Sequence, residues 1–149
     1  MSYFLLQIIS SVIVTFGFAI IFNIKGRLII YPCVAGMLSW IIFSIFINNN
    51  FGYGITYFSS ALVLSIYAEI ISRYKNIIAT QILIPALIPL APGGGIYYTI
   101  YNVIDKNYSL ALSYGVDTMI IAGSMAIGVF TAPVIFKFID DIKKIKKDS

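Results

Sequence analysis

Pro85-Ala86-Leu87-Ile88-Pro89-Leu90-Ala91-Pro92-Gly93-Gly94-Gly95-Ile96-Tyr97-Tyr98-Thr99 puts three prolines and three adjacent glycines into an uncharged stretch. Each proline removes a backbone donor and the glycines add freedom and bare backbone, so a continuous helix is not expected here. The flanks stay apolar, and Asn76 to Ile104 carries no charge. That length exceeds the roughly 20 apolar residues needed to cross a bilayer. The sequence therefore predicts a membrane helix broken near its middle. Unpaired N–H and C=O groups at such depth are costly unless protein or a water-filled cavity satisfies them, so the break is expected to face inward.

The rest of the chain fits the same solvent. Hydrophobic residues make up 60% of the 149 residues and charged residues 11%, against about 45–50% and about 25% in soluble domains. A soluble fold of this size could not cover its surface with so few polar groups. Met1 to Ile24 and Leu28 to Ala68 are also uncharged, and Asp117 is the only charge between Lys106 and Lys137. Runs such as Ile41-Ile42-Phe43 and Ile82-Leu83-Ile84 do not alternate as barrel strands do. The expected fold is an all-α integral membrane protein of about five transmembrane helices: Tyr3 to Phe22, Leu28 to Ile47, Ile55 to Ser72, the interrupted segment Ile77 to Ile104, and Leu110 to Phe138. Residues 1–139 form one transmembrane domain, and 140–149 a short charged tail. The first segment lacks the basic start and cleavage site of a signal peptide and reads as a retained span.

Charge orients these spans. Lys25 and Arg27, Arg73 and Lys75, and Lys137, Lys143, Lys144, Lys146 and Lys147 share one side, leaving Lys106 alone among the ten basic residues on the other. The positive-inside rule then places the N terminus outside and the tail in the cytoplasm. Four crossings would export the tail lysines. The tail is expected to anchor at the anionic inner leaflet.

Several chemistries fall away. The chain has one cysteine, Cys33, and no histidine, which excludes a disulfide, a Cys/His zinc site and a histidine triad within one chain. Two separated carboxylates supply no metal coordination shell, and no nucleic-acid-reading module is visible. No cofactor and no enzymatic activity are expected.

Interrupted helices in secondary transporters direct half-helix N termini at anionic cargo. The substrate-binding candidates are thus Gly93, Gly94 and Gly95 through their amides and Tyr97 and Tyr98 through their hydroxyls, with the Thr99 hydroxyl nearby. The alternative is a kink whose glycines allow close packing. Asp117, about two turns into the fifth span, is a candidate for proton coupling, or else lies in an outer vestibule paired with Lys106 or capped by Asn102. Glu69 is a second proton candidate, but its spacing to Arg73 suits a helical ion pair. Ser124, Gly128 and Ala132 make a small-residue stripe suited to close helix packing.

Gly17-Phe18-Ala19-Ile20-Ile21-Phe22-Asn23, the Glu69 to Arg73 helix end, and Ile88-Pro89-Leu90-Ala91-Pro92-Gly93 followed by Tyr97 together resemble the threonine/serine exporter family, in particular its small membrane subunit. The resemblance covers nearly the whole chain and matches the family motif at Pro89, Pro92, Gly93 and Tyr97, which implies that the two prolines also belong to the substrate-binding candidates. Asn76 departs from it, standing where a proline is expected. The resemblance implies a proton-driven secondary exporter of threonine and serine, or of succinate in two-subunit relatives, in a bacterial cytoplasmic membrane. It also implies a larger partner subunit with its own membrane half and a cytoplasmic portion. Self-association into a homo-oligomer is a further expectation. A different class is a structural or assembly subunit whose partner makes every cargo contact.

Overall fold

The computed structural model describes residues 2–148, all of whose regular structure is helical. Helix α1 spans Ser2–Ile21, α2 Ile30–Asn48 after a 3-10 turn at Gly26–Ile29, and α3 Tyr53–Lys75. Helix α4, Ala79–Leu87, runs into a 3-10 turn at Ile88–Leu90; α5 is Gly93–Ile104 and α6 Tyr108–Asp148. Four helices are long and apolar enough to cross a membrane, and the α4–α5 pair, bent by 48° at its break, makes a fifth candidate. The chain is an all-α multi-pass membrane protein.

Asparagine makes most of the reversals. Asn23, Asn50 and Asn76 take left-handed backbone conformations with φ of 58°, 59° and 54°, a region that asparagine tolerates better than most side chains. The missing proline is thereby explained. Asn76 closes α3 at φ 54°, ψ 42°, whereas proline is held near φ −65°.

Direction along the chain settles how often it crosses. Gly54 meets Ile120 and Ser124, Gly128 sits on the Phe58 carbonyl and Ala61, and the Ser65 hydroxyl donates to the Val129 carbonyl at 2.7 Å. Farther along, the Arg73 guanidinium lies 4.9 Å from the Phe136 ring centroid and reaches Asp140. Both residue series rise together, so α3 and α6 run parallel. A re-entrant α4–α5 loop would have started α6 at the basic end and made it antiparallel. The broken pair therefore carries the chain across once. Its two pieces, each about 18 Å long, advance about 30 Å at a 48° bend, the thickness of the hydrocarbon core.

Packing is built on small residues. Ile82 and Ala86 of α4 lie against Leu64 and Ala68 of α3 and Ala35 of α2, while Leu90 packs with Ala61 and Met125. A Cβ on Gly128 would come within 2.6 Å of the Phe58 carbonyl oxygen, and Ala132 is fully buried. The stripe Ser124, Gly128, Ala132 is thus the α3–α6 seam, a close approach only small residues allow. Outward-facing Leu6, Ile13, Ile21, Met119, Ile127 and Phe130 are more than half exposed, a surface suited to lipid.

Two expectations need correction. The fifth segment does not end near Phe138: α6 continues to Asp148, because no proline or glycine follows Pro133 and the isoleucines and lysines sustain a helix. The break faces inward only in part within this chain: Pro85, Ala86 and Leu90 are buried, and its glycine side is not. Its last preceding residue, Leu90, sits level with Ala61, toward the Tyr53 end of α3, which with α5 and the start of α6 is the tyrosine-rich end of the bundle, and Gly93 and Gly94 are exposed. Helix α5 packs chiefly on α6, and with the start of α6 it projects past the end of α3.

Candidate functional site

The three glycines separate once their neighbours are known. A Cβ on Gly95 would collide with the Thr118 hydroxyl of α6, and one on Gly115 would lie 3.5 Å from the Thr99 methyl. Gly95 therefore serves close packing between α5 and α6. A Cβ on Gly93 or Gly94 would meet nothing within 4 Å, so packing does not require glycine there.

Backbone polarity is left over at the same place. The Gly93 N–H reaches the Ala91 carbonyl at 2.8 Å and the Ile96 N–H the Pro92 carbonyl at 3.2 Å. Among the described residues the Gly94 and Gly95 N–H groups find no acceptor, as expected of donors in the first turn of a helix. Pro85, Pro89 and Pro92 donate nothing. The α5 N terminus thus combines free donors with the positive end of the helix dipole.

On the other flank of the break, α1 supplies polar groups. Gln7, Ser11 and Thr15 recur every four residues, with Ser10 alongside. The Ser11 hydroxyl donates to the Gly36 carbonyl of α2 at 3.1 Å, and Thr15 fills the space above Gly36. There α1 and α2 are closed. One turn nearer the tyrosine-rich end they part, and Leu6, Gln7, Ser10, Ser11, Val14, Trp40 and Pro89 line a groove of about 280 Å³. Gln7 and Ser10 are exposed, while the Trp40 indole N–H and the Ser44 hydroxyl on α2 are buried without partners. A second groove of about 300 Å³, between Leu87, Ala91, Pro92 and α6, is almost wholly apolar.

Pro89 therefore borders the α1 groove and Pro92 the groove on α6, with Gly93 and Gly94 following in the chain. The tyrosines stand apart from both grooves. Tyr97 stacks on Tyr101 with ring centroids 6.2 Å apart, and Tyr98 on Tyr114 at 5.3 Å. Both are about half exposed or more, the position of aromatic residues at a membrane–water boundary. The Thr99 hydroxyl is used within its helix, donating to the Gly95 carbonyl at 2.7 Å.

Neither anticipated partner of Asp117 is found. Asn102 instead donates to the Tyr98 carbonyl at 2.7 Å. Lys106 precedes α6, and Asp117 stands nine residues into it, a rise of about 14 Å that exceeds a lysine's reach. Asp117 is exposed on the stripe continued by Ile120 and Ser124, the residues that touch Gly54, one turn past the end of α3. Glu69 forms the expected pair with Arg73 at 3.5 Å, and Arg73 also binds Asp140. These carboxylates lie at opposite ends of the bundle. Among the described residues no cluster of three metal-binding side chains occurs.

The family model described as Threonine/Serine exporter, ThrE, matches residues 7–135, from the groove residue Gln7 through the break to the seam. The chain belongs to the threonine/serine exporter family. No curated protein and no solved structure matches it. The exporter family is one of transporters, and its match takes in every candidate residue named above. Gln7, Ser10 and Trp40 are absent from the sequence-based candidates. The i, i+4, i+8 recurrence of Gln7, Ser11 and Thr15 in an apolar helix was the signal available for Gln7; nothing comparable marks Ser10 or Trp40.

Proposed function

We propose that this chain is a subunit of a proton-coupled secondary exporter of threonine and serine in a bacterial cytoplasmic membrane, with its N terminus outside and its C terminus in the cytoplasm. One observation carries this reading: the family's proline–glycine motif leaves two amides at the start of α5 unbonded among the described residues, while its Pro89 borders a groove on α1 that Gln7, Ser10 and Ser11 line in part. A small amino acid offers a carboxylate to the amides and polar groups to Gln7 and Ser10. No lysine or arginine lies at the break, so a dianion such as succinate would meet no counter-charge on this chain. That favours a net-neutral cargo over a dianion.

The exposure of Gly93 and Gly94 further supports a partner, the larger exporter subunit, that covers the break and completes the site. Asp117, near the level of the α5 N terminus, is the proton carrier in this scheme, and Glu69, held by Arg73, serves as a pair. A scaffold role, in which the partner makes every cargo contact, is the competing reading.

Flux through proteoliposomes holding the complete exporter tests these statements. Gly93→Leu is expected to lower threonine and serine export at least about tenfold with assembly intact, the loss of more than about 1.4 kcal/mol of cargo contact. Normal flux would establish the scaffold reading instead. Asp117→Asn is expected to abolish the dependence of export on a pH gradient, and full dependence in that variant would remove Asp117 from the scheme.

A further inference from the structure

Past its contact with Arg73, α6 runs on to Asp148, and its two faces there differ sharply. Val134, Phe138, Ile142 and Ile145, spaced four, four and three residues apart, form one apolar face and are 66%, 67%, 49% and 71% exposed. Phe136 and Asp140, on the opposite side, hold Arg73. That link fixes the rotation of α6, so the apolar face turns away from α3. Lys137 and Lys144 are exposed along one edge of it and Lys143 on the far side of the helix, and the sequence adds Lys146 and Lys147.

This face continues the outward surface of Ile127, Phe130 and Val134 without interruption. Ile142 and Ile145 stand about 3 Å and 8 Å beyond Asp140 along the helix, comparable to the head-group layer, which adds roughly 5–7 Å outside the hydrocarbon on each side. Apolar residues flanked by lysines at that depth match a basic amphipathic helix seated among anionic lipids.

We propose that the Phe138–Ile145 stretch of α6 is a binding site for anionic phospholipid, with Ile142 and Ile145 directed into the leaflet and Lys143 and Lys144 at its phosphates. Continuity with the outward apolar face of the bundle favours lipid over a protein groove. The site is independent of the cargo pathway.

Full-length chain carrying Cys33→Ser and Ile145→Cys, labelled with a fluorophore, is reconstituted into phosphatidylcholine vesicles with and without phosphatidylglycerol. Acrylamide quenching of the probe is expected to fall about fivefold or more when the anionic lipid is present, the change one lysine's attraction supplies. Lys→Gln changes at 143, 144, 146 and 147 together should restore the quenching, and Lys→Arg changes at the same four positions should not. Equal quenching in the two lipids, or protection that survives loss of the four charges, overturns the proposal. So does loss of protection in the arginine variant.

Discussion

The α3–α6 seam and the α4–α5 break are both built from small residues, and they end in opposite states. In the seam every small residue is spent: Gly128 on the Phe58 carbonyl, Gly54 on Ser124, and the Ser65 hydroxyl on Val129. At the break Gly95 is spent against Thr118, whereas a Cβ on Gly93 or Gly94 would meet nothing and, among the described residues, two amides stay unbonded. A glycine explained by its neighbour is packing. One with no neighbour in its own chain points to something that arrives.

Substitutions at these positions can break that contrast. Gly128→Leu has the largest expected effect, because the obstructing atom is a backbone carbonyl that cannot turn aside. It should cost about 3 kcal/mol, the upper end of overpacking penalties, and appear as loss of folded protein in detergent unfolding curves. Gly95→Ala should cost about 1 kcal/mol and be relieved by Thr118→Ala, since the collision is with a side-chain hydroxyl. Additive effects in the double variant would disprove that contact. Gly93→Leu should leave the unfolding curve within about 0.5 kcal/mol of the parent while export falls. Asp140→Asn is expected to have the smallest effect, a slight lowering of stability that vanishes at high salt, because its pair with Arg73 is solvent-exposed.

Much of this was legible in the sequence. Five crossings followed from charge placement, and the parallel course of α3 and α6 agrees with them. The break followed from proline chemistry, and the seam from the spacing of Ser124, Gly128 and Ala132. What stayed hidden depends on which helix lies beside which. No local pattern tells Gly95 from Gly93, because the difference is the presence of Thr118, 23 residues away in the chain. Lys106 and Asp117 looked close in sequence, but helical rise separates them. The inward orientation expected of the break assumed that one chain would enclose it. Polar backbone must be satisfied somewhere, but that requirement does not specify which molecule does it.

Helix α6 is one rod of 41 residues, with a single proline at Pro133, so it extends about 60 Å. A tilt of about 5° about its centre would swing the two tips some 3 Å in opposite directions. Any rearrangement around Thr118 is thus geared to the far tip, where a ruler laid between α3 and Asp140 would read it.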